Sequence, residues 1–479
     1  MTKIGLEIHC QLTKLESKLF CSCKADYREF EPNTNICPVC MGIPGSLPLL
    51  NKSAVEKATL IAMALDCKTP GKIAFFRKNY FYPDLPKNFQ ITQLNAYGNT
   101  SIGWEGRILV EDKQIKIRRI QLEEDPGRLI YEGATEKTKL TLVDYNRAGT
   151  PLVEIVTDPD FETPHQVREF LNILSDLLEN LNVSDPGLEG AMRADANVSI
   201  EGGSKVEIKN IGSFHDLEKA VHFEITRQHS LAERKIEIIQ ETRHWDDGRK
   251  ITVSARTKEE EAEYRYHLEA DIPWVRINDN TKNQLRAQMP ESISSKKERY
   301  ISKYDITPQV AGILASDRYF SELFEKANNE TNAKDVANMI TTDIMGLLDT
   351  REKREISKLE AGHLSDLAEC VKSNKITRAS AKLALDEVIK NGKQLSEIIE
   401  DLDLGHVSDE ATLSDIITEV LDEEVKAVED AKHKSTSVPP VQVNDNKQIV
   451  KVDNSSSTTI PQMSMTNTNP AIREVTSAR

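Results

Sequence analysis

The sequence predicts an α+β fold: a large mixed domain, then an all-α helical domain, then a short, apparently truncated helical tail domain. Alternating apolar and polar runs bounded by Gly, Asn and Pro predict strands over residues 1–290. Helical periodicity interrupts these strands and stands alone over 291–394. The tail domain is predicted at 395–432. Residues 433–479 contain no Phe, Tyr or Trp, which predicts a disordered segment.

The elements of the first domain follow from these patterns. Strands are predicted at Lys116–Leu122, Lys139–Val143, Ala196–Ile200 and Lys205–Lys209. Helices are predicted at Ser53–Cys67, Pro164–Leu181 and Phe214–Glu241, the last as one long helix or two in succession.

The helical domain is predicted as a series of helices with polar breaks between them. They begin at Ser295 and continue as Thr307–Leu314, Asp317–Asn328, Ala333–Leu348, Arg351–Asn374 and Thr377–Asn391. The last of these ends at Asn391-Gly392, a typical helix stop. Two further helices, Leu395–Leu402 and Asp409–Asp430, begin the tail domain.

Composition predicts a soluble, cytoplasmic protein. The chain has 479 residues, of which 38% are hydrophobic and 29% charged. No apolar run approaches the ~20 residues that span a bilayer, and the N-terminus enters a strand at once, which leaves no room for a signal peptide. Seven cysteines, an odd number, indicate a reducing compartment rather than a disulfide framework.

The net charge of −15 is concentrated in one segment and does not exclude nucleic acid. Between Leu395 and Asp430 there are thirteen acidic residues and one lysine. RNA binding requires clustered cations elsewhere. The candidates are Lys116, Arg118 and Arg119 on a strand and Lys296, Lys297, Arg299 and Lys303 at a helix start; a solvated face is the alternative for each.

The most informative segment is an elbow between two apolar runs. Asn146-Arg147-Ala148-Gly149-Thr150-Pro151 leads into Leu152–Val156, which carries one carboxylate, Glu154. In a strand Glu154 shares a face with Leu152 and Val156. An acid on that face costs free energy unless a metal or a cationic group meets it, so a site is predicted.

Two other segments carry acids at strand positions. Alternation in Leu6–Gln11 puts Glu7, His9 and Gln11 on one face, and Ile120–Gly127 ends in Glu123-Glu124-Asp125 before a Pro-Gly turn. Oxygen ligands with one imidazole suit Mg²⁺ or Mn²⁺. Taken singly, these segments are also compatible with a solvated strand face and an acidic turn. Together with Glu154 they indicate metal-assisted phosphoryl transfer.

Four cysteines form a second pattern. Cys21-Ser22-Cys23 and Cys37-Pro38-Val39-Cys40 can present four thiolates to Zn²⁺, and Gly42 suits the turn of a zinc knuckle. Because all four ligands come from the protein, such a site is structural. The alternative is a set of small buried thiols. Cys10, Cys67 and Cys370 stand alone and are interpreted as packing residues.

Several catalytic patterns are absent from the sequence. No serine, cysteine or lysine is convincing as a hydrolytic nucleophile, and there is no Walker-type or kinase-type phosphate loop. Use of ATP would therefore require the metal cluster and an unfamiliar pocket.

Blocks of this chain resemble the GatB/GatE family of tRNA-dependent amidotransferase subunits, from residue 1 to about 430. The blocks follow the family order and are Gly5–His9, Lys78–Lys87, Leu122–Asp125, Asp144–Ile155, Arg193–Ser199, Glu207–Asn210, Glu241–Trp245 and Tyr264–Tyr266. After Lys432 the chain departs from the family, whose members continue into Gly- and Lys-rich helices.

The resemblance implies a B subunit with a catalytic cradle domain, which corresponds to residues 1–290. It implies an ATP-dependent carbon–nitrogen ligase with glutamine as amide donor, acting on Asp-tRNA(Asn) or Glu-tRNA(Gln). ATP phosphorylates the side-chain carboxylate, and ammonia from the GatA glutaminase then arrives through an internal channel and displaces phosphate. The small GatC subunit clamps the pair, and the helical and tail parts hold the tRNA body.

The resemblance and the acid pattern together assign roles to single residues. Glu7, His9, Glu124 and Glu154 are the expected Mg²⁺ ligands, with Glu123 the main rival to Glu124. Asn146 and Arg147 are expected to hold phosphate or substrate, although a buried ion pair that braces the elbow is the alternative for Arg147. Lys78, Lys87 and Lys209 are candidates to line the pocket; an exposed lysine is the alternative for each.

Two other functions stay open. A non-catalytic tRNA-binding scaffold is the main alternative, although clustered acids beside RNA argue against it. A stand-alone glutamine-dependent amidase is disfavoured because the chain lacks a nucleophile.

Overall fold

The strands in the described part of the chain belong to one large sheet and three small ones. The computed structural model describes residues 2–131, 140–256, 264–329 and 331–404. The strands are β1 Thr2–Gln11, β2 Lys72–Ile73, β3 Phe76–Asn79, β4 Phe89–Thr92, β5 Gly103–Val110, β6 Lys113–Glu124, β7 Arg128–Tyr131, β8 Thr141–Asp144, β9 Pro151–Thr157, β10 Met192–Ile200, β11 Val206–Lys209, β12 Glu241–Asp246, β13 Ile251–Arg256, β14 His267–Leu268 and β15 Val275–Arg276.

The helices divide between the sheet-containing part and the part that follows it. They are α1 Lys52–Ala64, α2 Pro164–Asn180, α3 Phe214–Glu233, α4 Asp279–Gln288, α5 Ile293–Tyr304, α6 Pro308–Ser316, α7 Arg318–Ala327, α8 Ala333–Met339, α9 Met345–Leu347, α10 Arg351–Ile356, α11 Ala361–Lys372, α12 Arg378–Asn391 and α13 Leu395–Asp401. A π-helical turn, Ile340–Ile344, joins α8 to α9. None of the described helices is both long enough and apolar enough to cross a membrane.

The large sheet carries helices on one of its faces. Its strand order is β13-β12-β11-β10-β1-β9-β6-β5, and every neighbouring pair is antiparallel except β11 and β12. Helices α1 and α2 pack near β5, and α3 packs on β10 and β13. Leu6, Ile8 and Cys10 of β1 point into the resulting core, together with Val153 and Ile155 of β9. The opposite face of β1 and β9 is therefore available for polar side chains.

A small sheet stands beside this polar face. Its order is β14-β3-β4, and β4 packs against β6 through side-chain bonds. The Gln90 amide donates to the Glu124 carbonyl at 2.8 Å, and the Gln121 amide bonds to the Gln93 carbonyl. These bonds fix the small sheet against the middle of the large one.

A second hydrophobic core belongs to the helices that follow Ile293. It contains Tyr300, Phe320, Phe324 and Leu364 and is built without strands among the described residues after 290. Asn180 at the end of α2 connects this core to the sheet-containing part, since its side-chain oxygen accepts a hydrogen bond from Lys296 at 3.0 Å.

The predicted α+β class is confirmed, and two helix predictions need correction. The helix that begins at Phe214 ends at Glu233, and Glu241 begins β12 instead of ending a helix. The segment Arg351–Asn374 forms two helices, because the chain turns at Ser357 and the Lys358 N–H donates to the Ile389 carbonyl of α12.

The predicted end of one helix agrees with the structure, and several other predictions fall on residues that the structure does not describe. Helix α12 ends at Asn391, and Gly392 has a φ of 66°, the left-handed conformation that glycine adopts without strain. The predicted helix Asp409–Asp430, most of the predicted tail domain and the predicted disordered segment 433–479 lie outside the described residues. The predicted domain boundaries stay predictions.

Candidate functional site

Three neighbouring strands bring the predicted acidic residues together. In the central pairing His9 of β1 lies opposite Glu154 of β9, and Glu154 lies opposite Gln121 of β6. Because strand side chains alternate, these residues share the face that points away from the core. Glu7 and Glu123 lie two residues along their strands from His9 and Gln121, on the same face.

The resulting cluster contains three carboxylates and one imidazole. One ligand atom from each of Glu7, His9 and Glu154 lies within 4.8 Å of the others. His9 Nε2 is 3.7 Å from Glu7 Oε1 and 3.9 Å from Glu123 Oε1. This set of hard oxygens with one nitrogen fits Mg²⁺ or Mn²⁺, as the sequence predicts, and metal binding itself stays a prediction.

The electrostatics of the cluster favour a bound cation. Burial, together with the charges of Glu7 and Glu123, raises the pKa of Glu154 well above its usual value. Burial also acts to raise the pKa of Glu7, but His9, Lys209 and a hydrogen bond with Glu154 outweigh it and lower that pKa to about 2. Carboxylates this close repel one another, and a divalent cation between them would relieve the repulsion.

Glu124 lies on the opposite face of β6 from Glu123. Both of its carboxylate oxygens accept a hydrogen bond from Lys87 at 2.5 Å, and one also accepts from the Ile91 N–H at 2.8 Å. Glu123 Oε2 instead accepts from Thr92 Oγ1 at 2.8 Å, beside the cluster. The structure therefore places Glu123 in the cluster. Glu124, which was expected to be a Mg²⁺ ligand, lies outside it.

Two of the three candidate lysines line the cavity, and the third does not. Lys78 and Lys209 line the cavity above the cluster. The Lys209 ammonium is 2.9 Å from Asp195 and 3.5 Å from Glu207, and these acids, with Glu7, raise its pKa against the opposing effect of burial. Lys87 is held by Glu124 away from this cavity, so the structure does not place it in the predicted pocket.

The elbow side chains brace loops instead of facing the cavity. Asn146 is fully buried; its oxygen accepts from the Asn35 N–H at 2.8 Å, and its amide donates to the Glu31 carbonyl at 2.7 Å. Arg147 donates to the carbonyls of Pro126 at 2.9 Å and Gly127 at 2.6 Å. The predicted role of these two residues in holding phosphate or substrate does not fit this geometry, whereas the bracing alternative for Arg147 does.

Arg147 also lies within reach of a buried acid. Its Nε is 3.7 Å from Asp125, which Arg193 contacts at 2.9 Å. Asp125 is fully buried, and although burial opposes it, Arg193 and Arg147 lower the pKa of its carboxyl. The ion pair braces the elbow, as the alternative for Arg147 predicts.

The cavity above the cluster measures about 670 Å³, within the usual range for small-molecule sites. Its lining combines acids with cations and two aromatic side chains; the principal residues are Glu7, Glu123, Glu154, Lys78, Arg118, Arg119, Lys205, Lys209, Gln121, Asn197, Tyr264 and Tyr266. Such a mixture suits a ligand that has both phosphate and apolar parts.

Several lining residues were not predicted to belong to the metal and phosphate site. The alternation of β6 would have placed Arg119 and Gln121 on the face of Glu123, so their signal was available. Asn197, Tyr264 and Tyr266 come from distant strands and loops, and no local pattern connects them to Glu154.

The predicted RNA-binding cations divide into different environments. Arg118 and Arg119 line the cavity, where Arg119 Nη2 lies 3.8 Å from Glu154. Lys296 is buried, and Arg299 forms salt bridges with Glu291 and Glu325 at 2.6 Å each. Neither Lys296 nor Arg299 therefore contributes an unpaired positive charge to an exposed basic surface. Lys116, Lys297 and Lys303 are exposed.

The four predicted zinc ligands meet in one place. The sulfur atoms of Cys21, Cys23, Cys37 and Cys40 all lie within 4.8 Å of one another, and the Cys37 N–H donates to Cys40 Sγ at 3.1 Å. Gly42 has a φ of 64°, as a tight knuckle turn requires. Four converging thiols fit a structural Zn²⁺.

The other cysteines pack as predicted. Cys10 lies in the main core, and Cys67 and Cys370 pack against the first and second cores respectively.

Most of this chain is similar in sequence to known proteins of one family. A sequence model described as the GatB/GatE catalytic domain matches residues 2–283, and one described as the GatB domain matches residues 322–439. The B subunit of the aspartyl/glutamyl-tRNA(Asn/Gln) amidotransferase of Saccharolobus solfataricus is 44% identical over 435 residues, which cover 90% of this chain and 92% of that protein. The proteins of the same name from Methanospirillum hungatei and Thermotoga petrophila are 43% and 41% identical, over 90% of this chain and 90% and 91% of theirs.

Proposed function

This chain belongs to the GatB/GatE family, and we propose that it is the B subunit of a heterotrimeric tRNA-dependent amidotransferase. In this proposal it phosphorylates the side-chain carboxylate of Asp-tRNA(Asn) or Glu-tRNA(Gln) with ATP. Ammonia then displaces the phosphate and leaves the amide. Activation is required because a carboxylate is a poor acyl donor at neutral pH, whereas phosphate is a good leaving group.

The observation that carries the proposal is the cluster of Glu7, His9, Glu123 and Glu154, whose three glutamates line the cavity. Acids repel phosphate unless a cation lies between them, so acids that line a cavity proposed to bind a triphosphate favour a divalent metal site. When bound, Mg²⁺ would neutralise charge on the phosphoryl group. A protein that only binds RNA has no use for such a cluster.

The cations around the cluster complete a site for phosphates. The Lys78 ammonium contributes positive charge at the cavity wall, and Lys209 does so from β11, where Asp195 fixes its position at 2.9 Å. Arg119 offers a planar fork of donors, and its Nε is anchored by Gln121 Oε1 at 2.9 Å. These groups would orient the triphosphate and the substrate carboxylate for in-line attack.

The four cysteines would bind a structural Zn²⁺ in this proposal. The loop that carries them is held to the elbow by Asn146, and the elbow leads directly into β9 and Glu154. The metal would therefore stabilise the loop on which this end of the site rests.

The ammonia would come from a separate glutaminase subunit, GatA, with GatC completing the heterotrimer. This assignment is supported by the absence of a convincing hydrolytic nucleophile in the sequence and by the name of the relatives, which describes one subunit of an enzyme.

The test replaces glutamine with ammonium chloride, so that the glutaminase is bypassed. The purified chain with its partner subunits is mixed with ATP, Mg²⁺ and either Asp-tRNA(Asn) or Glu-tRNA(Gln), and ADP and amidated tRNA are followed. Glu154→Gln should abolish both products while zinc content and melting temperature stay unchanged. Glu105→Gln is the matched control, because Glu105 is exposed and pairs with Lys68 at the surface.

Two outcomes would contradict the proposal. Normal amidation by Glu154→Gln would remove the cluster from the chemistry. Tight binding of tRNA by the unmodified protein without any ADP release would favour the non-catalytic scaffold.

A further inference from the structure

The aromatic end of the cavity has no part in the chemistry described so far. Tyr264 and Tyr266 line the cavity, with their ring centroids 6.1 Å apart and their planes at 75°. Tyr80 meets Tyr264 in a second edge-to-face contact, at 5.8 Å and 70°. The three rings therefore hold one another in fixed orientations.

We propose that Tyr264 and Tyr266 form a wall of the cavity against which an adenine base stacks. The inference rests on the proposed function, because ATP and the 3′-terminal adenosine of tRNA both carry this base. Aromatic side chains bind bases through their π faces in many single-stranded nucleic-acid sites.

The position of Lys78 indicates how a base bound to the wall would be oriented. Its ammonium lies 4.6 Å from the centroid of the Tyr264 ring, and the same side chain lines the cavity that Glu7 and Glu154 line. Lys78 is thus shared by the aromatic wall and the acidic floor. A base on the tyrosines would direct its attached ribose toward Lys78 and the cluster, where phosphoryl transfer is proposed. The ribose carries the triphosphate in ATP and the aminoacyl ester in tRNA.

One small sheet holds this lysine, Tyr80 and Tyr266. Lys78 belongs to β3, Tyr80 follows the last residue of β3, and Tyr266 directly precedes β14. His267 of β14 pairs with Arg77 of β3, and Glu269 accepts two hydrogen bonds from Arg77 at 2.6 and 2.8 Å. A rigid support of this kind is what a stacking surface requires, since ordering a loose ring on binding would cost free energy.

The test measures KM for ATP and KM for aminoacyl-tRNA separately in the ammonium-dependent assay. The variants are Tyr264→Ala and Tyr266→Ala, with Tyr264→Phe and Tyr266→Phe as matched variants that keep the ring. Removal of a stacked ring should raise the relevant KM about fivefold to 150-fold. The phenylalanine variants should restore it, and Tyr97→Ala is the control because Tyr97 is exposed and stacks on Phe76.

The two KM values identify which substrate supplies the adenine. A rise confined to KM for ATP assigns the wall to the nucleotide, and a rise confined to KM for tRNA assigns it to the terminal adenosine. Unchanged values for both, or a loss of kcat that phenylalanine does not restore, would overturn the proposal.

Equilibrium binding of ADP and of tRNA to the same variants separates this inference from the proposed function. Failure of the unmodified protein to form product would refute the function, whereas binding would still report on the wall. Binding that alanine leaves unchanged would refute the wall alone.

Discussion

Glu123→Gln and Glu124→Gln make the same chemical change on the two faces of one strand, and we expect opposite consequences. Glu123 Oε1 lies 3.9 Å from His9 Nε2, within the carboxylate cluster. Glu124 lies on the other face, bonded to Lys87. Glu123→Gln should therefore weaken binding of a divalent metal, and Glu124→Gln should not.

The magnitude follows from the charge that each substitution removes. A unit charge and a divalent cation about 4 Å apart interact by roughly 8 kcal/mol at an effective dielectric constant of 20. Desolvation and the remaining amide oxygen offset most of this energy, so we expect a loss of at least about 1.4 kcal/mol, or tenfold in Kd. Glu124→Gln should change Kd less than about twofold, because it leaves the cluster intact.

The cost of Glu124→Gln should appear in stability instead. The side chains of Glu124 and Lys87 are 5% and 10% exposed, so the substitution leaves a nearly buried ammonium without its counter-charge. Breaking such a pair costs about 3–5 kcal/mol of unfolding free energy.

Manganese provides the assay, because free and bound Mn²⁺ are distinguished by electron paramagnetic resonance. Titrations of the unmodified protein and both variants give Kd, and denaturant unfolding gives stability. Equal weakening of Mn²⁺ binding by the two variants would refute the register argument. An unchanged Kd for Glu123→Gln would remove Glu123 from the site.

Three further predictions follow from other parts of the chain. Cys37→Ser should release zinc and lower the melting temperature, and an unchanged zinc content by atomic absorption would contradict the zinc site. Asn146→Ala should lower the unfolding free energy by about 2 kcal/mol, since it removes buried hydrogen bonds, without changing the affinity for ADP; a weakened affinity would restore its predicted substrate role. Asp176→Asn should raise stability at pH 8 by about 1 kcal/mol after allowance for solvent screening, and leave it unchanged below pH 4. Burial raises the pKa of Asp176 to about 6, so its ionisation costs stability as pH rises from about 4 to 6; an equal effect at both pH values would contradict this.

Local periodicity was enough to predict part of the site. Strand alternation was enough to place Glu7 and His9 on one face of β1, and Glu154 on the face of β9 that it shares with Leu152 and Val156. The structure places Leu6, Ile8, Val153 and Ile155 in the core opposite them, and the pairing of β1 with β9 joins the two faces. The cysteine spacing likewise predicted a cluster that the structure contains.

The choice between Glu123 and Glu124 could not be made in this way. Both are acids at the end of the same strand, and the face that joins the cluster depends on how β6 pairs with β9. A shift of one residue in that pairing would exchange their positions.

The sequence by itself determined the α+β class, the polar face of β1, the face of β9 that carries Glu154, and the convergence of the four cysteines. Each of these depends on residues close together in the chain. Tertiary structure alone decided that Asn146 and Arg147 brace loops, that Lys87 is held by Glu124, and that two tyrosines from beyond residue 260 line the same cavity as Glu154. Those contacts join residues far apart in sequence, and their partners are chosen by packing and strand register, which no local pattern encodes.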